Sequence, residues 1–186
     1  MSFARGPMPD PQDFSRQPER ALFTRLAELG LAFTNVEHAP THTVADSRAI
    51  KTGIEGGHTK NLFMKDKKGN LVLISAWADS ELALNQLHKQ IGAQRLSFTN
   101  ADLLWEALAV TPGSVTGFAL MHDDPPRIRF IVDAKLLAFD TLNFHPFRND
   151  MTTSIARDDF LAFARATGHE PETIDFTALA QPGAQH

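Results

Sequence analysis

Leu22, Phe23, Leu26 and Leu29 recur at helical spacing between Pro18, which suits a first helical position, and Gly30, which predicts a helix ending there. A short strand is predicted over Phe33–Glu37, followed by the loop His38-Ala39-Pro40-Thr41-His42. Thr43, with Asp46 three residues later, reads as a variant capping box for a helix ending near Gly53. From Thr59 the period shortens. Asn61–Lys65 and Leu71–Ala76 flank Asp66-Lys67-Lys68-Gly69-Asn70, a hairpin signal with glycine in the turn. Asp79 or Ser80 is expected to open a helix carrying Leu84, Leu87 and Ile91 on one face and stopping at Gly92. Leu96–Phe98 reads as a strand, and Thr99 with Asp102 as the cap of a helix burying Leu103, Leu104, Ala107 and Leu108. Pro112-Gly113 ends that helix, and Ser114–Leu120 is expected to be a strand. Arg127–Asp133 alternates charged and apolar residues, the pattern of a half-buried antiparallel strand. Short strands follow near Leu142–His145 and Thr152–Ala156, then a helix opened by Asp158 or Asp159 with Phe160, Phe163 and Ala164 inward and Gly168 beyond its end.

Strands and helices interleave, but several strands are joined by hairpins. The expected class is α+β with a mixed, largely antiparallel sheet, rather than a doubly wound fold. A single domain over 18–176 is expected, between a flexible, Pro-rich polar arm at 1–17 and a flexible tail at 177–186.

Composition narrows the chemistry. A formal charge of −4 argues against a broad grip on duplex DNA, while leaving recognition of an RNA end open. The absence of Cys removes disulfides, thiolate zinc sites and Cys nucleophiles together. The first residues, MSFARGPMPDPQDFSRQPER, lack the apolar core of a secretory signal, and no run approaches the roughly 20 apolar residues of a membrane span. The cytoplasm is the expected compartment.

Three segments carry candidate chemistry. In Gly56-Gly57-His58-Thr59-Lys60-Asn61 paired glycines free the backbone, and Lys60 stands at the mouth of an apolar strand, a plausible anion seat. In Thr111-Pro112-Gly113-Ser114-Val115-Thr116-Gly117 the backbone N–H groups could hold a carbonyl, as an oxyanion hole does. The third is His145-Pro146-Phe147-Arg148-Asn149. On residue type alone, Lys60 is as readily a solvated strand-end cation and His145 a packed side chain. No metal site is expected: Pro40 between His38 and His42 defeats a helical ligand pair, and the remaining histidines are scattered. Ser114 lies outside a Gly-x-Ser-x-Gly elbow, which argues against a hydrolase triad.

These segments, together with "RLSF" and "DDFLAFARATGHEP", resemble the YbaK/ProX-type prolyl-tRNA-synthetase-associated editing domain in its free-standing form, from about Val36 to about Pro171. The resemblance is closest to the branch that clears alanine from proline tRNA. It implies a curved sheet or partial barrel flanked by helices, and an aminoacyl-tRNA deacylase that needs no cofactor. Its partner would be a tRNA acceptor end carrying a small amino acid, with prolyl-tRNA synthetase as an optional further one and neither DNA nor membrane involved. The matching Lys is the residue most important for activity in that family, so Lys60 is the leading catalytic candidate, with Gly113 and Ser114 of the loop. His58, Asn61, Val115, Thr116, Gly117, His145, Asn149 and Thr152 are the substrate-binding candidates, and His145 would help set pocket size. Candidate walls of the pocket are Leu31 or Phe33, Val44, Ile50 and His145. Family members carry Gly-x-x-x-Pro in the loop, and Gly117 replaces that proline here. Two alternatives stay open: removal of cysteine or another small residue, and a non-catalytic module binding tRNA ends or a synthetase.

Overall fold

A computed structural model describes residues 5–179. The chain runs α1 (Glu19–Glu28), β1 (Phe33–Glu37), α2 (Val44–Gly53), β2 (Gly57–Lys65), β3 (Leu71–Trp77) and α3 (Leu87–Gln90). It continues β4 (Ser97–Phe98), α4 (Ala101–Leu108), β5 (Arg129–Asp133), β6 (Thr141–Phe144), β7 (Met151–Ala156), α5 (Arg157–Ala166) and β8 (Glu172–Ile174). The strands form one sheet in the order β1-β7-β6-β2-β3-β5-β8, with β4 also paired to β2. The β1–β7, β7–β6, β2–β3 and β2–β4 contacts are antiparallel, whereas β2–β6, β3–β5 and β5–β8 are parallel. The expected α+β class with a mixed, largely antiparallel sheet is what forms.

Local rules account for the elements that match. Thr43 Oγ1 accepts from the Asp46 N–H while the Asp46 carboxylate accepts from the Thr43 N–H, the reciprocal capping box read from the sequence. In the β2–β3 hairpin Asp66 accepts from the backbone N–H groups of Lys68 and Asn70, which closes the turn.

Two apolar clusters sandwich the sheet. Leu22 and Leu26 of α1 and Phe160, Phe163 and Ala164 of α5 pack with Phe63, Leu73, Phe130 and Val132 on one side. Met64, Ile74, Ala76 and Ile131 pack with Leu87, Ile91 and Phe176 on the other. Alternate strand residues therefore belong to different clusters, as the two-residue period requires. The larger cluster centres on Phe118, Phe144, Phe160 and Phe163; Phe144 stacks on Phe160 at 4.3 Å and Phe118 meets Phe163 edge-on at 5.5 Å. Such aromatic pairs each add about 0.5–1.5 kcal/mol beyond area burial.

Four expectations are corrected. The helix expected from Asp79 or Ser80 is reduced to Leu87–Gln90, because Ser80 Oγ donates to the buried Asp133 carboxylate instead of capping a helix, and Leu84 stays exposed. The cap of α4 is Asn100 rather than Thr99; its side chain accepts from the Leu103 N–H. Ser114–Leu120 is not a strand: Thr116 Oγ1 accepts from the Phe118 N–H and starts a 3-10 turn over Gly117–His122. The Arg127–Asp133 segment forms a strand, but a buried one paired in parallel on both sides. Covering both faces removes the hydrophobic-in, polar-out contrast on which the antiparallel expectation rested. The parallel strand β8 was not expected at all.

Of the expected arm, Arg5 donates to the carbonyls of Glu106 and His122, and Trp105 Nε1 donates to Gly6 O. Of the expected tail only 177–179 fall within the described residues; they complete a 3-10 turn, Phe176–Leu179. Among the described residues no helix is long and apolar enough to cross a membrane.

Candidate active site

Strand register decides which candidate residues can meet. In β2 the side chains of His58, Lys60, Leu62 and Met64 share one face, and those of Thr59, Asn61 and Phe63 take the other. His58 pairs with Asn143 in the parallel β2–β6 contact, so Asn143, and His145 two residues on, belong to the His58 face. Asn143 pairs with Ser154 in β7, which adds Thr152 and Ser154 to that face.

Helix α2 lies over this face and closes a small pocket of about 60 Å3 at the start of β2. Ser47, Ile50 and Lys51 line it from above, and His58, His145 and Thr152 from the sheet. The paired glycines before His58 serve this geometry. A Cβ on Gly56 would lie 2.6 Å from Thr141 O and one on Gly57 2.7 Å from the Phe139 ring, so only glycine lets β2 come against β6.

The pocket's histidines are held by backbone carbonyls, and Thr152 by a third histidine. His145 Nδ1 bonds Met151 O at 2.9 Å, His58 Nε2 bonds Ile54 O at 2.8 Å, and His38 Nε2 bonds Thr152 Oγ1 at 2.8 Å. Three successive carbonyls, two in the turn after β6 and one at the start of β7, support the rim: Asn149 O accepts from Thr41, Asp150 O from the His38 N–H, and Met151 O from His145. Arg148 fixes that turn with a fork onto Asp150 and a 2.9 Å bond to Glu19, under the ring of Phe14. Burial holds His145 and His58 below the ordinary imidazole range, against the opposing pull of their backbone carbonyls. Both are therefore neutral at pH 7.

Lys60 stands further along the same face, in an open cleft beside Asp79, Ser80 and Leu84. Its Nζ donates to Ser80 O. Burial lowers its ammonium from the ordinary range; Asp133, Asp79 and Glu81 oppose that, while Lys51 adds to it. Lys51 and Asp79, 3.2 Å apart, link the pocket to the cleft.

The loop is elsewhere. Gly113 and Val115 border a depression shared with Asn61 and Phe63, on the opposite face of β2 from Lys60. Ser114, Thr116 and Gly117 are buried, and the Ser114 N–H is already donated to Thr111 O. Asn61 Oδ1 accepts from Ser75 Oγ and its Nδ2 donates to Thr59 Oγ1, so Asn61 also faces away from the pocket. Asn149 is buried behind Thr41 with Oδ1 unpartnered. Of the candidate walls, Ile50 and His145 line the pocket, Leu31 and Phe33 pack against the larger core, and the Val44 side chain lies outside the described residues. Sequence reasoning missed His38, Ser47 and Lys51. The spacing of Ser47, Ile50 and Lys51 on a helix whose start was legible could have found the last two. Among the described residues no cluster of His, Asp and Glu could hold a metal.

An aminoacyl-tRNA editing domain family model matches residues 38–163. The chain is 35% identical over 161 residues to prolyl-tRNA synthetase associated domain-containing protein 1 of Bos taurus, covering 84% of this chain and 94% of that protein. It is 28% identical over 158 residues to the prolyl-tRNA editing protein ProX of Acetoanaerobium sticklandii, covering 84% and 96%. The fold matches a solved structure described as a candidate trans-editing enzyme for prolyl-tRNA synthetase, with a TM-score of 0.65 at 19% identity over 85% of this chain and 96% of that one. The chain belongs to the aminoacyl-tRNA editing domain family, in its YbaK/ProX type.

Proposed function

We propose that this protein hydrolyses the ester joining a small, non-cognate amino acid to proline tRNA, with alanine the leading substrate. The observation that carries this reading is the pocket of His58, His145 and Thr152 beneath α2, with Lys60 in the cleft further along the same face of β2, in a chain of the editing family. A synthetase site built for proline can discriminate by only about 1–3 kcal/mol for each methylene that a smaller substrate lacks, so a second, smaller sieve is chemically useful. A pocket of about 60 Å3 walled by Ile50 and His145 suits that task.

In this scheme the Lys60 ammonium seats the phosphate at the tRNA 3′ end, and the aminoacyl group enters the pocket beside it. Water attacks the acyl carbon, the bond to the ribose oxygen breaks, and the ribose leaves as its hydroxyl. The vicinal ribose hydroxyl orients the water and relays its proton. Positioning would supply most of the acceleration. The 113–117 loop acts from behind. Gly117 packs on Ser75, whose hydroxyl donates to Asn61, which donates to Thr59, which in turn donates to Asn143 O beneath the pocket.

The test is hydrolysis of alanyl-, cysteinyl- and prolyl-charged proline tRNA by the purified protein. Loss of the alanyl ester with the prolyl ester spared is expected. Selective loss of the cysteinyl ester would change the substrate and keep the reaction. Survival of all three esters would overturn the enzyme reading.

A further inference from the structure

Asp133 ends β5 and is fully buried, yet the three groups that meet its carboxylate are neutral donors. Oδ2 accepts from the Trp77 N–H at 3.1 Å and from the Ser80 hydroxyl, and Oδ1 from the Lys135 N–H at 3.0 Å. A buried carboxylate with only neutral donors against it is costly, so its charge points to a use beyond packing. Ser80 supplies that use. Its N–H donates to Trp77 O at 2.9 Å and its hydroxyl to Asp133, while its carbonyl faces the cleft and accepts from Lys60 Nζ. The start of the turn is tied down as well: Trp77 pairs with Thr59, and the Ala78 N–H donates to His58 O at 2.8 Å. One carboxylate thus clamps both ends of the 77–80 turn, whose last carbonyl holds the ammonium.

Charge makes the link specific. Four charged groups act on Lys60: Lys51 from α2, Asp79 and Glu81 from the segment after β3, and Asp133 from β5. The Asp79 side chain is 62% exposed and already paired with Lys51, and Glu81 is exposed, so water screens both. Asp133 lies in the dry interior, where screening is least. We propose that Asp133 is a positioning residue for Lys60: it clamps the 77–80 turn so that the Ser80 carbonyl holds the ammonium at the cleft, and its negative charge balances that ammonium. This rests on the deacylase reading, in which Lys60 seats the tRNA phosphate, and adds what keeps the seat in place and charged.

Two variants of the full chain test this. Asp133→Asn keeps the shape and removes the charge, and its amide turns an N–H toward at least one of the donors that the carboxylate accepts. The folded variant should hydrolyse alanyl-charged proline tRNA at least about ten-fold more slowly, because the ammonium is displaced. It should also lose activity at a lower pH than wild type, since an ammonium relieved of a neighbouring negative charge gives up its proton more easily. Side-chain NMR of lysine, with Lys60 assigned by its absence in Lys60→Ala, should show the same displacement of the titration without substrate. A merely structural Asp133 would lower Tm and leave the titration and the alkaline limb in place, which would overturn the proposal. Ser80→Ala keeps the charge and cuts the link, and it carries the test if Asp133→Asn fails to fold. Its KM for the charged tRNA should rise at least about three-fold with the Lys60 titration unmoved; a wild-type KM would overturn the clamp. If wild type hydrolyses no ester but Asp133→Asn still displaces the Lys60 titration, the deacylase reading fails and the positioning stands. If wild type hydrolyses the ester and both variants match it, the deacylase reading stands and the positioning fails.

Discussion

Gly117→Ala probes the joint between the loop and the site. Gly117 is buried, and a Cβ there would lie 2.7 Å from Phe160 Cζ, 3.0 Å from Ser75 Oγ and 3.2 Å from Phe144 Cε1. Phe160 is fully buried and stacked on Phe144, so its ring has no free space to swing into. Forcing a methyl group into such a core costs about 1–3 kcal/mol. The φ of Gly117 is not in the left-handed region, so alanine recovers about 0.4–1 kcal/mol through the unfolded chain. A net loss of roughly 1–2 kcal/mol remains, which lowers Tm by roughly 2–8 °C for a chain of this size. Thermal and urea unfolding would measure it. In a Phe160→Leu background the ring atom nearest the new methyl is gone, and the cost of Gly117→Ala should shrink by at least about 0.5 kcal/mol. An unchanged or raised Tm in the single variant would refute the packing argument. Proline brings the same Cβ, so Gly117→Pro should destabilise this chain instead of restoring the family loop.

Burial, aided by Arg5, lowers His122 from 6.5 to about 4. Above pH 6.5 both states are neutral there; as pH falls toward 4 the unfolded chain takes a proton that the folded chain refuses, so stability declines. Up to about 3 kcal/mol is lost across that window, and urea titrations should find it flattened in His122→Gln. Arg148→Met would leave the Glu19 carboxylate buried without its partner, at a cost of about 3 kcal/mol by chemical denaturation. Arg148→Lys should recover little of that, because lysine lacks the fork that grips Asp150.

Elements governed by neighbouring residues were legible in the sequence. The capping box of α2, the bounds of β1 and the tip of the β2–β3 hairpin each depend on side chains within four positions of one another. Elements set by distant partners were not. Ser80 reads as a helix cap until Asp133 claims its hydroxyl, and β8 has no signal apart from the edge of β5 on which it pairs. The site divides in the same way. Lys60 and His145 were identifiable as candidates, but nothing in the chain order of Lys60, 113–117 and His145 reveals that the loop lies on the opposite face of β2. Asn61 differs from Lys60 by one position, and in a strand that reverses the side. His38 was weighed only as a metal ligand; its bond to Thr152 joins residues far apart in sequence and could not be read from either.

The central claim is that the His58–Lys60 face of β2 carries out ester hydrolysis. Single-turnover hydrolysis of the small-residue ester on proline tRNA by wild type and Lys60→Ala, with both folds verified by unfolding curves, tests it most directly. The account predicts that Lys60→Ala keeps its stability and loses hydrolysis. Hydrolysis retained near the wild-type rate in a folded Lys60→Ala protein would contradict it.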